Sequence, residues 1–85
     1  MTNATYTDYP FTSNGVNFIS RISNDSPFVG MLKNIPAKDF AQMNIEAVTD
    51  LIGDASLFTT AELLQELERV NDGSTHSWIL LGANE

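Results

Sequence analysis

Asp8-Tyr9-Pro10-Phe11-Thr12-Ser13-Asn14-Gly15-Val16-Asn17-Phe18-Ile19-Ser20-Arg21 decides how this chain begins to fold. Asn14-Gly15 is a strong hairpin signal, because both residues tolerate the positive φ of a type I′ turn. A two-residue loop fixes the register. Ser13 then faces Val16, Phe11 faces Phe18, Tyr9 faces Ser20 and Asp8 faces Arg21. That register makes chemical sense. Phe11 and Phe18 form an aromatic pair on one face, shared with Tyr9, Val16 and Ile22. Asp8 and Arg21 form an opposite-charge pair on the other. Pro10 has no N–H to give to a ladder, so the first strand belongs at a sheet edge. The predicted strands run over 5–13 and 16–23.

Downstream of the hairpin, Asn24-Asp25-Ser26-Pro27 is a turn cluster. Phe28 to Leu32 is short, apolar and interrupted by Gly30. It reads as a third strand with a bulge or as an irregular core plug, and the strand is preferred. Pro36 to Ile52 reads as a helix. Phe40, Met43, Ala47 and Leu51 form one apolar row at helical spacing, and Ala41, Ile45, Val48 and Ile52 form the next. A break near Asn44 would divide it into two short helices. Gly53 ends it from a left-handed conformation.

Thr59-Thr60-Ala61-Glu62 is a capping box, in which the threonine oxygen takes an end amide and Glu62 reaches back to the cap amide. Phe58 and Leu63 stand at the positions of a hydrophobic staple. The helix over 59–71 then buries Leu63, Leu64, Leu67 and Val70, and Gly73 closes it. A strand follows over 74–82. Trp78-Ile79-Leu80-Leu81 is apolar at every position, which predicts two covered faces and a central place in the sheet. The last residues, 83–85, are expected to fray. The expected fold is α+β: a small antiparallel sheet, made of the N-terminal hairpin, the C-terminal strand and the candidate strand at Phe28–Leu32, packed on one face against two helices.

With 85 residues the chain is read as one domain, residues 1–85. It has no Cys, so disulfides and thiolate metal sites are excluded and stability must come from an apolar core. The apolar fraction of 42% supplies one. No stretch approaches a membrane span of about 20 apolar residues. The start of the chain lacks the basic and apolar regions of a secretory signal, so the expected location is cytoplasmic. The triplets Asn3-Ala4-Thr5 and Asn24-Asp25-Ser26 are then chance matches to a glycosylation signal.

Few reaction types fit what is present. His76 is the single histidine, and neighbouring Ser77 would point to the opposite face of its strand. The glycines are isolated, so no phosphate cradle precedes a helix. Asp50 to Asp54 lacks the spacing of a calcium loop. The expectation is a protein that is not an enzyme, with no cofactor and no bound metal.

What remains is charge. Four Lys and Arg stand against eleven Asp and Glu, a net charge of -7. That sign repels phosphate backbones and anionic membranes, and attracts basic protein surfaces. Glu46, Asp50 and Asp54 recur at four-residue spacing on the first helix, as do Glu62 and Glu66 on the second. Like charges so spaced cost a helix about 0.2–0.5 kcal/mol per pair. Arg69 alone offers relief. Tyr6, on the hairpin face opposite Phe11, is a further candidate anchor beside Ile19.

In general character, being short, acidic and free of cysteine and of catalytic motifs, the chain resembles the small inhibitors that phages and mobile elements direct against host machinery. These include anti-CRISPR proteins, anti-restriction proteins and DNA mimics. The likeness lies in composition and implies a protein partner with a basic surface. The expected function is a binding module that inhibits or regulates a partner through Glu46, Asp50, Asp54, Glu62, Glu66 and Tyr6. The alternative is an assembly subunit that works as a homo-oligomer, with a homodimer formed through a sheet edge or the aromatic face.

Overall fold

Asn14 and Gly15 take φ values of 52° and 81°, so the chain reverses where the Asn-Gly pair lies. The computed structural model describes residues 5–72 and 76–83. Strands β1 (Tyr6–Ser13) and β2 (Val16–Ser23) pair antiparallel in the predicted register, with Phe11 opposite Phe18 and Asp8 opposite Arg21. Burial alternates residue by residue along β2. Val16, Phe18, Ser20 and Ile22 face inward, while Asn17, Ile19, Arg21 and Ser23 face outward.

A short helix α1 (Phe28–Leu32) follows, then α2 (Ala37–Leu51), a 3-10 turn (Ala55–Leu57), α3 (Thr60–Asn71) and strand β3 (His76–Ala83). The sheet order is β1-β2-β3, antiparallel throughout, so the protein is an α+β fold with its sheet packed against helices. Helix α2 lies over β1 and α3 lies over β3. The main core gathers Phe11, Val16, Phe18, Val48, Ala55, Leu63, Leu67 and Trp78. A second cluster of Ile22, Leu32 and Phe40 is closed off by α1.

Several expectations are corrected. Phe28–Leu32 is a helix and not a strand. The Ser26 hydroxyl accepts the Phe28 N–H at 3.2 Å and the Ser26 carbonyl accepts that of Val29 at 3.1 Å. Pro27, with φ near -61°, starts the turn. Helix α2 runs unbroken through Asn44, which is buried at the centre of its inner face between Phe40 and Val48. Met43 and Leu51 therefore rotate out to solvent, as does Leu64 on α3. Two helices lying side by side on a narrow sheet each bury a thinner stripe than their apolar residues suggest.

Strand β3 is an edge strand and not the central one. Trp78 and Leu80 pack toward the helices, but Leu81 is 60% exposed on the uncovered side. Ala83, expected to fray, pairs with Val16. Asn17 pairs with Gly82 and Phe18 with Leu80, so Leu81 is the extra residue of a bulge on β3.

The caps form as read. Thr59 Oγ1 accepts the Glu62 N–H at 3.1 Å, and Glu62 Oε1 accepts the Thr59 N–H at 2.8 Å. Phe58 packs against the cluster that holds Leu63. Gly53, at φ 108°, donates its N–H to the Val48 carbonyl and ends α2. The closure of α3 at Gly73 and the expected strand start at Ser74 lie outside the described residues.

Candidate binding surfaces

Trp78 is the point where the sheet and both long helices meet. Its indole N–H donates to Asn44 Oδ1 at 2.9 Å, and the Asn44 amide donates in turn to the Phe40 carbonyl at 2.9 Å. Its backbone is held as well. The Trp78 N–H donates to Asn71 Oδ1 at 2.9 Å, and Asn71 Nδ2 donates to the Trp78 carbonyl at 2.8 Å. The Asn71 amide thus occupies the place that a residue of a further strand would take.

His76 neighbours this knot. Its Nε2 lies 2.6 Å from the hydroxyl of Ser20. Its ring sits 5.8 Å from that of Trp78 and 6.3 Å from that of Phe40. Burial holds its pKa below the ordinary value for histidine. Ser20 is completely buried. The pair fastens β2 to β3. Among the described residues no cluster of three or more His, Asp or Glu side chains is placed to hold a metal ion.

The predicted acidic residues all lie on the helical side of the sheet, and most also have a local task. Asp54 is not on the first helix as its spacing suggests: it lies past the end of α2 in extended backbone and caps the 3-10 turn, accepting the Ser56 N–H at 2.9 Å and its hydroxyl at 2.6 Å. Glu62 closes the capping box of α3. Glu66 pairs with Arg69 at 2.8 Å, and the same Arg69 nitrogen reaches the Leu51 carbonyl at 3.1 Å. Glu46 accepts from Gln42 at 3.3 Å. Asp50 is exposed on α2. Glu62 and Glu66 come together with Phe58 and Gln65 in one shallow depression, which Glu46, Asp50 and Asp54 do not line.

Tyr6 lies on the other side of the sheet, which no helix among the described residues covers. Its ring stacks on Arg21, whose guanidinium carbon is 3.9 Å from the ring centroid. Arg21 also donates to both oxygens of Asp8, at 2.8 and 2.9 Å. That contact pulls the Asp8 carboxyl below the usual aspartate range. Next to this cluster Pro10, Ile19 and Ile79 stand in register straight across the three strands. Beyond them a depression is lined by Pro10, Thr12, Asn17 and Leu81, together with Phe11, Phe18 and Gly82. The sequence reading found Tyr6 and Ile19 on this face but missed Ile79 and Leu81, having placed both under cover. The signal was available in the alternation of β3, which puts Ile79 in phase with Ser77 and out of phase with Trp78.

No known family, characterised protein or solved structure matches this chain.

Proposed function

We propose that the protein is a non-catalytic binding module that docks its acidic helical layer onto a basic surface of another protein and so inhibits or regulates it. One observation carries this reading. The segment from Ala37 to Asp72, which forms the helical layer, holds Asp39, Glu46, Asp50, Asp54, Glu62, Glu66, Glu68 and Asp72 against only Lys38 and Arg69. Burial of this layer's other side against the sheet leaves those charges to face outward. A layer of this kind attracts the groove in which a nucleic-acid enzyme holds phosphates. That is the surface used by phage-type inhibitors such as anti-CRISPR proteins and DNA mimics, and it supports a place in the same functional class. Direct binding of nucleic acid is disfavoured by the same charge.

The experiment must spare the residues that hold the fold. Asp54 and Glu62 cap helices, so reversing them confuses unfolding with loss of binding. Glu46→Lys, Asp50→Lys and Glu66→Lys together should keep the circular dichroism spectrum. A basic partner captured by the wild-type chain should be lost by this triple variant, and should bind the wild type more weakly as salt rises. A partner retained by the triple variant, with affinity independent of salt, would sink the reading.

A further inference from the structure

We propose that the uncovered face of the sheet is a self-association surface, on which a second copy of the chain packs face to face about a two-fold axis. This surface lies across the sheet from the acidic layer, so the inference stands or falls separately from the function proposed above.

The first argument is the distribution of charge. The chain carries a net -7, so two copies repel each other over most of their surfaces. The outward positions of β1, β2 and β3 form the exception. Among the described residues the only ionisable groups there of opposite sign are Asp8 and Arg21, and they neutralise each other at 2.8 Å. Every other described carboxylate lies on a helix, a turn or a loop. Two copies of this chain can approach closely through this neutral face with the least electrostatic cost.

The second argument is self-complementarity. A two-fold interface requires that residue i meet residue j while j meets i. The Asp8–Arg21 pair satisfies this with its own copy, since each Asp8 can meet the partner's Arg21 in a closed ring of alternating sign. Tyr6, stacked on Arg21 and 43% exposed, offers the aromatic-plus-arginine composition enriched at interface centres. The row Pro10, Ile19 and Ile79 supplies apolar contact, and Leu81 stands beside a depression able to receive a side chain.

The third argument concerns the route of assembly. Edge-to-edge extension is obstructed on both sides, by Pro10 on β1 and by the Asn71 amide on Trp78 of β3. Stacking of faces, with sheets about 10 Å apart, remains open. The area is small. Eight-residue strands span about 27 Å and three of them about 14 Å, which falls short of the roughly 800 Å² per partner of a standard interface. The dimer is therefore weak, with a Kd roughly in the tens to hundreds of micromolar.

Sedimentation equilibrium of the wild-type chain up to about 1 mM, at low and at high salt, tests this. A monomer–dimer equilibrium is expected that tightens as salt screens the repulsion between the two copies. Leu81→Lys and Ile79→Lys should each weaken it tenfold or more while leaving the far-ultraviolet spectrum and thermal midpoint near wild type. Amide NMR shifts of the unmodified chain give a measurement free of variants: on concentration, changes should fall on β1, β2 and β3 and spare the exposed sides of α2 and α3. For the charge ring, Arg21→Glu should weaken the dimer and the exchange Asp8→Lys with Arg21→Glu should restore it. A chain that stays monomeric at about 1 mM in high salt overturns the proposal, as does a dimer that dissolves as salt rises or whose shifts map to the helices.

Discussion

The two outer strands of this sheet are held in different ways. Strand β1 is joined to β2 by a two-residue turn; its buried contacts are apolar, with Phe11 stacked on Phe18 at 5.3 Å between ring centres and Tyr9 meeting Phe40 edge-on at 5.0 Å, while its polar contacts, such as Asp8 with Arg21, lie exposed. Strand β3 comes from the far end of the chain, where His76 pairs with Ile22. It is held by polar groups as well as packing. Asn44 on α2 takes the Trp78 indole, Asn71 on α3 takes the Trp78 backbone, and Ser20 on β2 takes His76. A strand adjacent in sequence gets its register from the turn. A remote strand must be specified through space, and buried polar pairs do that because only one register satisfies them. Sliding β3 by one residue would turn Trp78 to the open face and leave Asn44 buried without its partner.

The most damaging test of this contrast is Asn44→Leu. It leaves the indole N–H buried and unpaired, at an expected cost of about 2–3 kcal/mol in urea unfolding. Trp78→Phe in the same chain removes the orphaned donor, so the double variant should recover part of the loss. Strict additivity of the two changes would mean that the bond does not specify β3. Asn71→Ala comes next. It removes two hydrogen bonds at a strand edge that water can partly replace, for an expected cost of about 1 kcal/mol. It also opens the edge at Trp78, so slow association through β3 should appear that the wild-type chain lacks. A comparable change on β1, Pro10→Thr, should open that edge with little change in stability, because its register rests on the turn.

The same contrast explains what could be read in advance. The hairpin register, the edge position of β1, the capping box at Thr59 and the end of α2 at Gly53 all follow from residues close together in sequence. Strand β3 was found, but its place in the sheet was not, because Ile79 and Leu81 are as apolar as residues that are covered. Asn44 was read as a possible break in α2, since a mid-helix asparagine usually competes with the helix. Its amide instead bonds the Phe40 carbonyl four residues back and leaves its oxygen for a tryptophan 34 residues away. No local pattern carries such a pairing. For the candidate surfaces, the carboxylate spacing and the relief that Arg69 gives Glu66 were legible, whereas the capping duty of Asp54 emerged only with the loops and helix ends in place.

Acidification separates the two strands further. His76 is held below its ordinary pKa by burial. The unfolded chain therefore takes up a proton, near pH 6.5, before the folded chain does. The contribution is fully present above that pH and is lost as pH falls toward the lower folded value. Urea midpoints should drop between pH 7.5 and about 5.5, and His76→Gln should flatten that limb. A wild-type midpoint that is level across the interval would mean that His76 is no more shielded folded than unfolded.

The smallest effect expected is on β1. Arg21 donates to Asp8 and so lowers its pKa, which makes the ionised carboxylate more favourable in the folded chain. That stability is present above the ordinary aspartate value of about 3.9 and disappears as pH falls through the folded value below it. Both side chains are partly exposed, so the contribution is small and screened by salt. Asp8→Asn should thus leave the unfolding midpoint almost unchanged at pH 7 in dilute solution and soften only the acid limb below about pH 4. Amide exchange can follow the two strands in one sample. Protection in β3 should begin to fall on the way from neutral pH to about 5.5, while that of β1 should hold until about pH 4. If the two strands lost protection together, the polar anchors would not set β3 apart, and the sheet would respond to acid as one cooperative unit.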